Sequence, residues 1–415
     1  MVNFLRKTNA IVLCYTLLFL VDLVAVFKDY APVSALKVMV YLCSFGLFVN
    51  ITKHSKTKVL KSTKSFWSLT YIYFALLFMR LFVDFVIPWK GFFLYLSPIT
   101  IIFFYFVTMI MPCLYIRKIS EEFDYTRFSL LSGIFLCLYL FFSYKEIASG
   151  MLLAATTGGQ FEGLGGIDII SYGHLGLSLI ILAVYIIMYS SKKLLPLGML
   201  FIAVGLSAMV LSGSRSPFVA LAICLFVLLK SKYSKWYYLL IGLILVVIFA
   251  NLFQEEVLRF NDYLKSMGIS SFDRVVNTFW GEGMSMADSS SGRDDIWAVG
   301  WSMFIQNPIL GVSYLMPDDS YVHNIFIEQF MSLGLFGGVL FILINIKTLY
   351  FGWKTITYFP NTALVYVLFI QYLVLGCFSR TIIALGAYWL FMFITIKNYE
   401  RFRQNENSIS SNTNL

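Results

Sequence analysis

Apolar runs interrupted by polar breaks dominate the sequence, lying near residues 9–27, 33–51, 66–88, 92–115, 128–146, 171–190, 195–212, 217–230, 236–253, 324–346, 359–379 and 381–396. A run of about 20 apolar residues crosses the hydrocarbon layer as a helix, because every backbone N–H and C=O is then satisfied within the segment. The pattern predicts an all-α polytopic membrane protein with about 12 transmembrane helices. Two breaks are longer than the rest, about 147–170 and about 254–323, and the polar stretch NENSISSNTNL marks a tail, 397–415, predicted to be disordered. No repeat of 20–50 residues and no linker divides the sequence, so residues 1–415 read as a single integral membrane domain.

Composition sharpens this picture. With 59% apolar and 13% charged residues, against about half and about a quarter in soluble domains, an ordinary cytosolic enzyme is excluded. The formal charge of +9 suggests an anionic partner until its distribution is followed. With both termini in the cytoplasm, most of the 31 Lys and Arg residues fall on that side, including the Lys53–Lys64 run, as the positive-inside bias requires. The basic balance is therefore a topology signal, open to contact with anionic membrane lipid, and predicts no nucleic-acid partner. All six cysteines, Cys14, Cys43, Cys113, Cys137, Cys224 and Cys377, lie within or at the ends of apolar runs, which suggests neither a disulfide framework nor a Cys-ligated metal. The N-terminal run lacks a small-residue cleavage site and is read as the first span.

The same alternation places both longer loops outside. The second holds ten acids and only four bases, Arg259, Lys265, Arg274 and Arg293, so any base kept there needs a separate reason. Within it, SSGRDDIWAVGWSMFIQNP predicts a short amphipathic helix capped by Ser290 or Ser291, with Asp294 and Asp295 in its first turn and Pro308 beyond its end. Trp297, Trp301, Phe304 and Ile305 form its expected apolar stripe, facing the membrane or the bundle.

Candidate chemistry gathers at the external ends of the spans. Ser212–Pro217, SGSRSP, sets Arg215 in a tight turn with Ser214 and Ser216, beside the N-terminus of the next helix; a planar guanidinium suits phosphate because it donates two parallel hydrogen bonds. Arg293 opens the loop helix and Arg380 lies near the outer end of the eleventh run. His323, in YVHNIFIE, is a candidate general base, with Asn324 and Glu328 four apart on one helix face below it. His174, in SYGHLG, reads first as a hydrogen-bonded interfacial histidine and second as a substrate contact. Arg80 and Asp84, four apart in the third run, can neutralise each other on one face; Asp22 and Lys37 are weaker cases. Asp294, Asp295, Asp318 and Asp319 read as solvated acids, and no metal or other cofactor is predicted.

The order SGSRSP, then GRDDIWAVGWSMFIQNPILGVS in a long external loop, then HNIFIEQFMSLGLFGG resembles the O-antigen polymerase and ligase superfamily of bacterial membrane glycosyltransferases, closely over roughly residues 165–345. The resemblance implies a GT-C-like fold in the inner membrane and an active site facing the periplasm, with 254–323 as the large periplasmic loop. It implies glycan transfer from an undecaprenyl diphosphate carrier, without a metal or nucleotide sugar. It assigns Arg215 and Arg293 to the donor diphosphate and His323 to activating the acceptor hydroxyl or steadying the transition state; the residues themselves add Arg380, Ser214, Ser216, Asn324 and His174 as further candidate substrate contacts. A flippase and a chain-length regulator of the same pathway are the implied partners. One departure is that 147–170 contains no Lys or Arg, against a scheme with two basic loops.

Transfer to a second lipid-linked repeat makes a polymerase, the preferred reading, and transfer to lipid A-core makes a ligase. A protein O-glycosyltransferase is disfavoured by the short segment after the last run. A transporter would place Arg80 and Asp84 at the centre of function. An intramembrane protease, suggested by Glu255, Glu256 and Arg259, has the wrong spacing and lies outside the bilayer.

Overall fold

Among the described residues, the apolar runs fold as helices. The computed structural model describes residues 2–21, 23, 33–53, 60–88, 97–119, 123–157, 169–232, 254–266, 276 and 293–412. The run expected at 236–253, Asp22, the caps Ser290 and Ser291, and residues 158–168 lie outside them. Among the described residues, eight helices are long and apolar enough to cross a membrane, and Asn9–Phe19 forms a shorter apolar helix. By contact the chain divides into two compact units, residues 1–47 with 122–289 and residues 48–121 with 290–415, where the sequence suggested one domain.

The first unit holds α1 (Val2–Phe19), most of α2 (Val33–Thr52), α6 (Tyr125–Thr157), α7 (Ile169–Tyr189), α8 (Leu195–Ser212), α9 (Ser216–Lys232) and α10 (Gln254–Ser266). Helix α7 is its core. A Cβ at Gly176 would meet the Gly205 carbonyl oxygen at 2.6 Å, and one at Gly205 would meet the Gly176 oxygen at the same distance. The α7 and α8 backbones thus approach closely through small residues, as helices packed in lipid commonly do.

The second unit holds α3 (Lys64–Leu81), α4 (Pro98–Tyr105), α5 (Met111–Ile116), α11 (Arg293–Gln306), α12 (Ile325–Tyr358), α13 (Ala363–Phe378) and α14 (Gly386–Asn412). A π-helical turn, Phe82–Val86, extends α3, and another, Phe106–Ile110, joins α4 to α5. Tyr73, Phe74, Phe341 and Trp389 form an aromatic core between α3, α12 and α14. At one end of it, Glu400 accepts from Trp67 Nε1 at 3.0 Å and pairs with Lys397 at 3.1 Å.

Two features depart from expectation. The segment from 397 is helical as far as Asn412, because Tyr399 stacks on Phe351 at 4.3 Å and Phe402 on Tyr358 at 4.7 Å; aromatic anchors inside a polar stretch hold it. Helix α12 has 34 residues and breaks at Gly334, where φ is 64° and ψ is −160°. Unbroken, it would be about 51 Å long, more than the roughly 30 Å of hydrocarbon.

Candidate active site

In the second unit, α11 begins at Arg293, which is half-buried, with Asp294 and Asp295 in its first turn. Its packed face takes in part of the expected stripe and adds residues beside it. Gly300 and Met303 are buried, with Ile296 and Trp297 packed beside them on Met316, Val322, Ile327 and Met331, whereas Trp301 and Ile305 are exposed. Gly300 sets this face: a Cβ there would lie 2.9 Å from Ile327 and 3.0 Å from Val322. Helix α11 is thereby pressed against residues on both sides of His323 and Asn324. Phe304 and Trp301 meet Phe330 of α12 at 5.3 and 5.7 Å.

After α11 the chain crosses the break in α12. Val312 N donates to Met331 O at 2.8 Å and Leu335 N to Pro308 O at 2.7 Å, so the loop satisfies groups that the break leaves open, as irregular backbone among transmembrane helices must be satisfied. Gly311, at φ 73°, and Gly334 lie against each other, and a Cβ at Gly334 would collide with the Ile309 carbonyl. Such positive φ costs glycine little.

Arg80 and Asp84 hold this loop. The Arg80 guanidinium donates to Val312 O at 2.9 Å, Leu310 O at 3.0 Å and Gly311 O at 3.4 Å, and pairs with Asp84 at 3.2 Å. Asp84 Oδ2 accepts from Tyr314 N at 2.6 Å. The pair foreseen as neutralising itself within one helix is a clamp on backbone more than 220 residues away.

Beyond the clamp, Tyr314 is fully buried and its hydroxyl bonds to Thr381; burial pushes that phenol well above its ordinary value, so it stays protonated. A tight turn follows, in which Asp318 Oδ1 accepts from Ser320 Oγ at 2.7 Å and Ser320 N at 3.1 Å. These bonds, the side-chain one first, hold the Asp318 carboxyl below its usual range. His323 then takes φ 57°, a left-handed conformation unusual outside glycine. Its ring lies 4.1 Å from that of Tyr321, whose hydroxyl donates to Ser379 O at 3.4 Å. Asn324 caps α12, its Oδ1 accepting from Phe326 N at 3.0 Å and Ile327 N at 3.2 Å. Arg380, half-buried, sits between Ser379, which receives Tyr321, and Thr381, which bonds Tyr314. The second unit therefore brings the Arg380 turn to the His323–Asn324 turn, with Arg293 two helical turns before the Gly300 contact.

The other predicted residues lie in the first unit. Helix α8 ends at Gly213, left-handed at φ 56°, and Arg215 O accepts from Phe218 N at 3.1 Å to open α9. Ser216 Oγ bonds His174 Nε2 at 3.0 Å and Ser214 Oγ at 3.3 Å. Buried His174 thus ties α7 to the turn that carries half-buried Arg215, the hydrogen-bonded role read first for it.

Residues 200–342 match the family model described as O-Antigen ligase. Over this segment the chain is similar to that family. The matched segment contains Ser214, Arg215, Ser216, Arg293, His323 and Asn324, and leaves His174 and Arg380 outside. No curated protein and no solved structure matches the chain. Side-chain reasoning missed the anchors Tyr314 and Thr381 and the loop partners of Arg80. The sequence carries one signal for them, the Gly-Val-Ser-Tyr that follows the Asn-Pro helix stop in the matched segment.

Proposed function

We propose that the protein is a polymerase that transfers a glycan from an undecaprenyl-diphosphate donor to a lipid-linked repeat unit at the periplasmic face of the inner membrane. The carrying observation is the His323 turn: an imidazole in a left-handed backbone at a capped helix start, beside the Arg380 turn and behind the helix that Arg293 opens. Strained backbone of this kind persists only when its surroundings hold it, and clusters at functional sites. Guanidinium side chains near a helix N-terminus, where the helix dipole is positive, favour an anion such as a diphosphate.

In the proposed step, the acceptor hydroxyl attacks the anomeric carbon opposite the diphosphate. The new C–O bond forms as the bond to the diphosphate breaks, and the diphosphate leaves with the electron pair. His323 takes the hydroxyl proton, and the configuration inverts. Arg293 and Arg380 stabilise negative charge as it develops on the leaving group. Arg215, in its own turn with Ser214 and Ser216, is assigned phosphate binding by the resemblance. The loop backbone that engages Arg80 and Asp84 speaks against the transporter reading, which needs those charges for a translocation pathway. The description of the matched family favours one second reading, ligation to lipid A-core.

The test is surface polysaccharide, resolved on a gel, from a deletion strain complemented with wild type, Arg215→Ala, Arg293→Ala or His323→Ala, each checked for membrane abundance. A single repeat on core in the variants identifies a polymerase. Bare core with long polymer on the carrier identifies a ligase, and unchanged ladders in all three refute the assigned residues.

A further inference from the structure

Glu328 has no part in the step above, yet it is fully buried. Its Oε1 accepts from Gln329 Nε2 at 3.0 Å and from Ile382 N at 3.2 Å, and Gln329 in turn accepts from Tyr73 OH at 2.8 Å. The hydroxyls of Tyr314 and Thr381, bonded to each other, also reach the carboxylate. A carboxyl group taken out of water to this degree is a costly way to fill space unless its position is used. The same carboxylate bonds the segment just after Arg380 and stands on the first turn of the helix that follows His323.

We propose that Glu328 is a positioning residue for glycan transfer, whose carboxylate locks the Arg380–Ile382 segment onto the first turn of α12 and so sets Arg380 in register with His323. The proposal rests on the transfer reading. It requires that the effect of Glu328 pass through Arg380, because Ile382 N–H is the bond that reaches across. It also requires an acceptor at Oε1 rather than a negative charge: glutamine can keep both bonds, aspartate is one methylene too short to keep both, and leucine keeps neither.

The experiment uses the full-length protein in lipid nanodiscs, with an undecaprenyl-diphosphate-linked repeat unit as donor and acceptor, and measures initial rates of transfer. Glu328→Leu is expected to lose at least tenfold in rate and Glu328→Gln to stay within threefold of wild type. Adding Glu328→Leu to Arg380→Ala is expected to cost no more than a further threefold, since coupled residues are not additive. Full activity of Glu328→Leu, or multiplicative losses in the double variant, overturns the proposal. If Glu328→Leu fails to accumulate, Glu328→Asp decides: it is expected to fall below Glu328→Gln, and the reverse order overturns the assignment. His323→Ala in the same preparation separates the two levels. Its full activity removes the transfer reading itself, whereas inactive His323→Ala with active Glu328→Leu removes only the role of Glu328.

Discussion

Replacing Arg80 with methionine keeps the unbranched apolar stem of the side chain and removes the guanidinium that clamps the loop between α11 and α12. The guanidinium makes bonds of 2.9 and 3.0 Å to two carbonyls, a longer one of 3.4 Å to a third, and an ion pair at 3.2 Å. The Arg80 and Asp84 side chains are only 16% and 13% exposed, so water does not replace these bonds at full strength. Removing one partner of a buried pair costs about 3–5 kcal/mol. Because Asp84 keeps its bond from Tyr314 N and both groups touch solvent, the lower end, about 3 kcal/mol, applies. That corresponds to roughly a 100-fold rise in local opening of the loop. Hydrogen exchange of the detergent-solubilised protein, read on peptides covering residues 307–316, measures it through Gly311, Val312 and Tyr314, whose amides donate to Asn307 O, Met331 O and Asp84. Exchange there is expected to accelerate about 100-fold in Arg80→Met, with peptides from α13 unchanged. Asp84→Asn is expected to have a smaller effect, about tenfold, since an amide oxygen still accepts from Tyr314 and Arg80 keeps its carbonyls. Wild-type exchange in Arg80→Met, or a larger effect in Asp84→Asn, refutes the clamp.

Two further outcomes follow from backbone geometry and charge. Gly334→Ala puts a side chain where φ is 64° and ψ is −160° and drives a Cβ into the Ile309 carbonyl; with strain alone of about 1–3 kcal/mol, its thermal unfolding in detergent should begin at a clearly lower temperature than wild type, and an unchanged profile counts against the α12 break. At Asp318 the folded carboxyl titrates below its unfolded value because Ser320 donates to the carboxylate. Its contribution to the 316–320 turn is present above the unfolded value, near 3.9, and is lost as pH falls through the folded one. Asp318→Asn should therefore loosen exchange at Ser320 at neutral pH and match wild type in strong acid; a difference that persists in acid would contradict the assignment.

Legibility in the sequence tracked whether a signal was local. The helix Arg293–Gln306, the acids in its first turn and Pro308 beyond its end were readable because helix-start acids and a proline breaker act on neighbouring backbone. So was the turn at Arg215, where a left-handed glycine and a proline mark the junction of two helices. The role of Arg80 was not, because its main partners are backbone carbonyls, which every residue possesses and no residue letter announces. The packed face of α11 was legible in part. Trp297, Trp301 and Phe304 of the expected stripe make contacts, whereas the closest approach is set by Gly300, whose missing side chain admits Val322 and Ile327. The helical tail escaped because two aromatic residues outweigh a polar composition once Phe351 and Tyr358 are there to receive them.

The bonds around the His323 turn also fix when it can be completed during biosynthesis. Arg80 and Asp84 are made and inserted long before their partners at 310–314, and they wait for the loop. Tyr314 and Tyr321 depend on Thr381 and Ser379, which leave the ribosome 67 and 58 residues later, in a process that runs from the N-terminus. A chain released before Ser379 would carry the whole 200–342 segment and still lack the bonds that anchor Tyr314 and Tyr321. Completion of the turn is therefore coupled to synthesis of the C-terminal helices, and a translation product cut short there lacks the anchored turn.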